Sequence, residues 1–166
     1  VTAFFDFNMP DSRMATPLSQ FGRDVAMLIL CLAGINTVDL YNLRKTDYFD
    51  EIIHYQRAKT RTKRTDSAYM EMRVPTILHP IMERYASHDD YLFNFHSRFS
   101  TSDSFCANVN AGIRQVCSAM GLPKDAWYKA YTFRHTWATI AQNNCGASID
   151  EVAFGLNHSR GKSVTR

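Results

Sequence analysis

The chain has 166 residues, of which 45% are hydrophobic and 13% aromatic, a composition typical of one folded domain with a substantial core. Intrinsic disorder is excluded as a class because disordered chains lack this much apolar and aromatic surface. The formal net charge of +3 is mild and does not by itself indicate nucleic acid. No apolar run approaches the length of a membrane span.

The four cysteines form no closely spaced pair, which predicts reduced thiols packed as small hydrophobic side chains in a cytoplasmic protein. They are Cys31, Cys106, Cys117 and Cys145. The six histidines show neither the H-E-x-x-H spacing nor a Cys/His spacing, so a metal site is disfavoured.

In chain order, residues 1–18 carry three phenylalanines and two prolines, and they are interpreted as a linker or a leading strand from a longer protein. From Ser19 as N-cap, apolar residues at helical spacing predict a helix that Gly34 ends. The next segment, Thr37 to Leu43, is predicted to be a short helix with Thr37 as its N-cap.

The hydrophobic period then changes from helical to alternating, which predicts three short antiparallel strands. The predicted strands are Thr46 to Phe49, Ile52 to Lys59 and Tyr69 to Val74. Helical spacing returns at about Ser102, and Ser148-x-x-Glu151 matches a capping box that starts a short helix ending near Gly155. The apolar face of the helix from Ser102 comprises Phe105, Val109, Ile113, Val116 and Met120.

The expected fold class is therefore α+β, mainly α-helical with a small three-stranded antiparallel sheet. The stretch AYTFRHTWATI predicts the first turns of a buried helix, with Thr132 as N-cap and an apolar stripe formed by Phe133, Trp137 and Ile140.

Arg134 lies in the opening turns of that helix, where a desolvated guanidinium needs an anionic partner. The positive end of the helix dipole also favours an anion at this place. The alternative is a structural arginine that caps buried carbonyls or pairs with Asp39 or Glu151.

A run of five cations without an intervening acid follows the second predicted strand. If that strand extends as predicted, Arg57 and Lys59 share one of its faces. Several cations on one surface suit contact with phosphates, but hairpin tips also carry such charges into solvent, and the run alone leaves both interpretations open. The run comprises Arg57, Lys59, Arg61, Lys63 and Arg64.

Together these stretches resemble the catalytic domain of tyrosine-type site-specific recombinases, the phage-integrase family. The motifs occur in the same order: GINTVDLYNL after an apolar helix, YQRAKT on a hairpin, then YTFRHTWATIA, then LNHS. The resemblance covers residues 19–166 as the catalytic domain, and its wording is most similar to integrases of Bacteroides mobile elements. It implies that residues 1–18 are a linker from an upstream DNA-binding domain.

The resemblance also implies a mechanism and partners. A tyrosine attacks a DNA phosphodiester, a 3′-phosphotyrosyl bond forms, and a 5′-hydroxyl leaves, without metal or cofactor. Double-stranded DNA attachment sites would be the substrate. A homo-tetramer would act on this DNA at the bacterial nucleoid, with no membrane association.

Matched position by position, Lys59 corresponds to the hairpin lysine that protonates the leaving oxygen, and Arg134 to the second phosphate-binding arginine. His158 corresponds to the histidine of the following short helix, although a lone histidine at a helix end can equally cap carbonyls. The other hairpin cations expected to contact DNA are Arg61, Lys63 and Arg64.

Three positions depart from the family pattern. Asn36 replaces the first arginine, and Tyr131 replaces a histidine three residues before the second one. Arg57 is the candidate for a compensating phosphate contact. The nucleophilic tyrosine is expected just beyond Arg166, so residues 1–166 are predicted to form no covalent DNA adduct.

Alternatives from other classes stay open. The substitutions Asn36 and Tyr131 favour a non-catalytic DNA-binding relative of the same fold. A type IB topoisomerase-like enzyme would share the chemistry, and a structural protein without DNA affinity would leave the hairpin charges merely solvated.

Overall fold

The computed structural model describes residues 1–10, 16–58 and 69–156, and within these ranges it contains eight α-helices and one three-stranded sheet. The helices are α1 (Thr2–Asp6), α2 (Pro17–Cys31), α3 (Thr37–Asn42), α4 (His79–Arg84), α5 (Phe95–Arg98), α6 (Ser102–Ala119), α7 (Ala130–Asn144) and α8 (Ile149–Gly155). The strands are β1 (Tyr48–Phe49), β2 (Ile52–Gln56) and β3 (Tyr69–Arg73). Among these elements, no helix is both long and apolar enough to cross a membrane.

The centre of the fold is the crossing of α2 and α6, which meet at two glycines. A Cβ on Gly112 would collide with the carbonyl oxygen of Leu18, and a Cβ on Gly22 would lie 2.5 Å from the backbone of Gly112. Because neither residue has a side chain, the two helix backbones touch. The predicted apolar face of α6 is confirmed, since Phe105, Val109, Ile113 and Val116 are fully buried.

Phe21 of α2 is the centre of an aromatic cluster in this core. Its ring centroid lies 5.4 to 6.0 Å from four other rings, mostly in edge-to-face arrangements. These rings belong to Tyr85, Phe95, Phe99 and Phe105.

The N-terminal residues form a helix, so the interpretation of a leading strand is wrong. Phe4 of α1 is fully buried, and its ring centroid lies 5.0 Å from that of Phe133 in α7. Burial of Phe4 against α7 ties the start of the described chain to the helix that carries Arg134.

The predicted N-cap of α2 is wrong by three residues, and that of α3 is wrong by one residue. Thr16, not Ser19, caps α2, because its Oγ1 accepts a hydrogen bond from the Ser19 amide at 3.1 Å. Asn36, not Thr37, caps α3 by accepting from the Val38 amide at 3.2 Å. Several neighbouring residues could cap each helix, and the sequence does not distinguish among them.

In α7 the predicted cap Thr132 is the third helical residue, and its Oγ1 accepts from the Lys129 amide at 3.0 Å. The apolar stripe is only partly buried. Phe133 is inaccessible, Trp137 is half-buried, and Ile140 is 42% exposed, which contradicts a helix buried along its length.

The capping box of α8 is confirmed. The Ser148 hydroxyl accepts from the Glu151 amide at 3.2 Å, and the Glu151 carboxylate accepts from the Ser148 amide at 2.7 Å. The helix ends at Gly155 as predicted.

The predicted three antiparallel strands are confirmed, and they pair in the order β1-β2-β3. Ile53 pairs with Tyr48 on one side and with Met72 on the other. However, β2 ends at Gln56, because the Ala58 amide is bonded to a side chain of α3 and not to β3. The prediction of a strand that continues to Lys59 is therefore wrong.

All four cysteines are free thiols. Cys117 is buried and Cys31 and Cys106 are half-buried, but Cys145 is exposed, so the prediction that all four pack as hydrophobes is wrong for Cys145.

Candidate active site

Arg134 lies at the fifth position of α7, and its side chain is 5% exposed. Its Nη1 donates to the carbonyl oxygen of Gly34, and its Nη2 donates to the carbonyl oxygen of Leu156 at 2.6 Å. The alternative of a structural arginine that caps buried carbonyls therefore describes these contacts.

Gly34 presents its carbonyl because of the turn that ends α2. Its amide donates to the carbonyl of Ile29 at 2.9 Å, and both Ala33 and Gly34 have positive φ, 50° and 66°. A Cβ on Gly34 would lie 3.2 Å from Cγ of Arg134, so glycine is required both by the backbone and by the approach of the arginine.

Arg57 lies one residue beyond β2 and is 7% exposed. Its Nη1 donates to the carbonyl oxygen of Leu156 at 3.0 Å. Two guanidinium groups from distant parts of the sequence therefore converge on one oxygen atom, the carbonyl that ends α8.

Asp39 of α3 provides negative charge beside the two arginines. Its Oδ1 accepts from the Ala58 amide at 2.9 Å, and its Oδ2 lies 3.9 Å from Nε of Arg57. The same carboxylate thus fixes the backbone after Arg57 and pairs with its guanidinium. Asp39, Arg57, Arg134 and the carbonyls of Gly34 and Leu156 are called the arginine cluster below.

Within the described residues, both arginines of the cluster lie near one carboxylate, that of Asp39. Burial raises the pKa of Asp39, although the Ala58 hydrogen bond and the two arginines oppose this shift. Burial lowers the pKa of Arg134, and the neighbouring charge of Arg57 lowers it further. An anion brought between the guanidinium groups would relieve this repulsion.

Asn36 and Tyr131 flank Arg134 at a cleft of about 140 Å³ whose lining is mainly apolar. The amide oxygen of Asn36 caps α3, so this side chain has a structural hydrogen bond. Tyr131 is 54% exposed, and its ring lies 4.5 Å from the His135 ring, almost perpendicular to it. Its phenol is therefore accessible from solvent.

Asp39 and Ala58 also line a larger cavity of about 560 Å³ between α3 and the sheet. Tyr55, Arg44 and Tyr91 lie on its walls. This polar and aromatic cavity therefore adjoins the arginine cluster at Asp39.

The structure brings together three of the predicted site residues, Arg57, Tyr131 and Arg134. The predicted residues that lie outside the described ranges are Lys59, Arg61, Lys63, Arg64 and His158. Within the described ranges no group of three or more His, Cys, Asp or Glu side chains is arranged to hold a metal ion.

Two features of the site have only a weak signal in the sequence or none. The sequence predicts Asp39 only as an alternative partner of Arg134. An acid in a short apolar helix is nevertheless a signal of a buried ion pair. The Leu156 carbonyl gives no sequence signal, because every residue carries the same group.

Comparison with known proteins bears on the fold. No family model matches the chain, and no curated protein matches it. Solved structures do match. The XerA recombinase structure superposes with a TM-score of 0.59 at 21% identity, over 92% of this chain and 58% of that one.

The Tn1549 transposon integrase in complex with transposon right end DNA superposes with a TM-score of 0.66 at 14% identity, over 95% of this chain and 55% of that one. Its complex with circular intermediate DNA gives a TM-score of 0.63 at 16% identity, with the same coverage. This chain thus spans little more than half the length of these structures. It has the fold of the tyrosine recombinase catalytic domain, a mainly helical domain with a three-stranded antiparallel sheet.

Proposed function

We propose that this chain is the catalytic domain of a tyrosine-type site-specific recombinase that cleaves and rejoins double-stranded DNA. The observation that carries the proposal is the convergence of Arg57 and Arg134 on one oxygen atom, the carbonyl of Leu156. A non-bridging oxygen of a phosphodiester carries more negative charge than a carbonyl oxygen. It would therefore be the stronger acceptor for two guanidinium groups.

In the proposed reaction a tyrosine hydroxyl attacks the scissile phosphorus and releases its proton to water, and the bond from phosphorus to the 5′-oxygen breaks. The DNA 3′-phosphate is then bonded to the tyrosine. Arg134 and Arg57 stabilise the charge that develops on the equatorial oxygens, and Arg57 supplies the contact that Asn36 cannot. Lys59 gives a proton to the leaving 5′-oxygen, and the reverse reaction with another 5′-hydroxyl rejoins the strand.

Further roles follow from the resemblance. Tyr131 and His158 donate hydrogen bonds to the reacting phosphate, and the hairpin cations Arg61, Lys63 and Arg64 contact flanking phosphates. No metal or cofactor takes part.

The proposal extends to the whole recombinase. Residues 1–18 connect to an upstream DNA-binding domain, residues 19–166 are catalytic, and the nucleophile lies beyond Arg166. The active form is a homo-tetramer on attachment-site DNA of a Bacteroides mobile element, in the cytoplasm at the nucleoid.

Strand cleavage tests this proposal. Nicked duplexes that cover the DNA flanking the gene would be incubated with the gene product extended beyond Arg166, and SDS-stable adducts would be mapped by mass spectrometry. We expect a phosphotyrosine after residue 166, no adduct from residues 1–166 alone, and strongly reduced cleavage by Arg57→Ala. An adduct at Tyr128 or Tyr131, or an unchanged rate for Arg57→Ala, would contradict the assigned roles.

A second candidate is a DNA-binding relative without catalysis, and the observation that favours it is the capping role of Asn36. In that case the extended protein would bind DNA through Arg57 and Arg134 but would form no adduct with any duplex.

A further inference from the structure

Helix α7 begins without a cap from its own N-cap residue. The first amides of a helix have no acceptor within the helix, and Lys129 has no side-chain oxygen to supply one. The Lys129 amide is satisfied locally by Thr132 Oγ1, but the next amide, that of Ala130, needs an acceptor from elsewhere.

Asn110 of α6 supplies that acceptor. Its Oδ1 accepts from the Ala130 amide at 2.9 Å, across a sequence separation of 20 residues. Its Nδ2 donates to Sγ of Cys106, one helical turn earlier, at 3.5 Å. The two contacts use the amide in one orientation, with oxygen toward α7 and nitrogen toward α6.

The capped residue immediately precedes Tyr131 and lies four residues before Arg134. Asn110, Tyr131 and Arg134 line the same cleft of about 140 Å³. Since α6 is anchored by its glycine contact with α2, the hydrogen bond fixes the start of α7 relative to the rigid centre of the fold.

We propose that Asn110 is a positioning residue, which sets the place of Tyr131 and Arg134 by capping α7 from α6. The inference rests on the proposed function, because it concerns how Arg134 meets a phosphate. Without the cap the first turn of α7 would fray, and the guanidinium would lose its fixed distance from the DNA.

The test compares DNA affinity at several salt concentrations for variants of the 166-residue chain on one short duplex. Asn110→Leu removes the acceptor at similar volume and introduces no charge into the cleft. Asn108→Leu is the matched control, because Asn108 also lies on α6 but donates within that helix, to the Ser104 carbonyl at 2.9 Å.

We expect Asn110→Leu to lower affinity by about tenfold, the scale of one hydrogen bond to a charged group. The slope of log K against log salt should fall by roughly 0.9 in magnitude, which corresponds to one lost phosphate contact. Asn108→Leu should retain both values, after correction for the folded fraction.

A double-mutant cycle with Arg134→Ala separates positioning from general destabilisation. If Asn110 acts through Arg134, Asn110→Leu has no further effect on affinity in the Arg134→Ala background. An undiminished effect in that background overturns the inference but leaves the proposed function standing. If Arg134→Ala alone changes neither affinity nor salt slope, phosphate binding by Arg134 is itself refuted, and the inference falls with it.

Discussion

The aromatic core and the arginine cluster are both buried, but their stability has different origins. Around Phe21 most neighbours are aromatic rings, whose burial contributes in the same direction, and the Arg98 guanidinium lies 4.7 Å from the Phe21 ring centroid. In the arginine cluster two guanidinium groups share one carboxylate, Asp39, and compete for one carbonyl oxygen. The contacts of the core therefore reinforce one another, whereas in the arginine cluster the charge of Arg57 lowers the pKa of Arg134, and an anion between the two groups would be favourable.

We therefore expect substitutions in the aromatic core to change the free energy of unfolding and substitutions in the arginine cluster to change DNA affinity. Phe105→Ala should lower the free energy of unfolding by about 3–5 kcal/mol, because it leaves a cavity among aromatic rings. The DNA affinity of the folded fraction should not change. Urea denaturation followed by circular dichroism measures the first quantity.

Phe49→Ala is the control for that experiment, since Phe49 is 75% exposed on β1 and its loss should fall within about 0.5 kcal/mol. Equal losses for the two phenylalanines would refute the assignment of Phe105 to the core.

A substitution in the backbone of the arginine cluster should affect both properties. Gly34→Ala places a methyl group at a φ of 66° and 3.2 Å from Cγ of Arg134. It should cost roughly 1–2 kcal/mol of stability through the left-handed backbone alone. It should also weaken DNA binding, because Arg134 must shift.

Gly121→Ala separates these two effects. Gly121 has a φ of 72°, and a Cβ there would meet nothing within 4 Å. A similar stability loss with unchanged DNA affinity is expected, measured by thermal denaturation and fluorescence anisotropy. If both glycine variants weaken DNA binding equally, Gly34 has no special relation to Arg134.

The smallest expected effect concerns the capping box that supports α8 and therefore the Leu156 carbonyl. Hydrogen bonds from the Ser148 amide and hydroxyl lower the pKa of Glu151 below its ordinary value. A depressed carboxyl pKa means that the stabilisation is present above the ordinary value and is lost as the pH falls through the folded-state value.

Glu151→Gln removes this titration. The melting temperatures of the parent and the variant should therefore converge as the pH is lowered through the acidic range. A difference that stays constant with pH would show that the Glu151 charge adds nothing to the cap.

The sequence predicted the elements well where periodicity and local chemistry agree. The face of α6, the three strands and the Ser148–Glu151 box are examples, because each depends on residues close in sequence. The caps of α2 and α3 were misplaced, since several adjacent polar residues fit the same pattern.

The arginine cluster could be predicted only in part. Alternation predicts that Arg57 and Lys59 share one face of a strand, but it does not predict that Arg57 is buried beside Asp39, which is distant in sequence. Arg134 contacts Gly34 and Leu156 through their backbone carbonyls. Because every residue carries a carbonyl, no residue type signals these contacts. Long-range contacts of this kind require the fold.

The central claim is that Arg57 and Arg134 together bind one phosphate. The most direct measurement is the salt dependence of DNA affinity for Arg57→Ala, Arg134→Ala and the double variant. Arg73→Ala is the charge control, because Arg73 is an exposed arginine on β3. Each single change in the arginine cluster should reduce the magnitude of the salt slope by roughly 0.9, and the double change should be less than additive because both groups meet the same phosphate. If the two single variants behave like Arg73→Ala, the arginine cluster is only structural and the account is wrong.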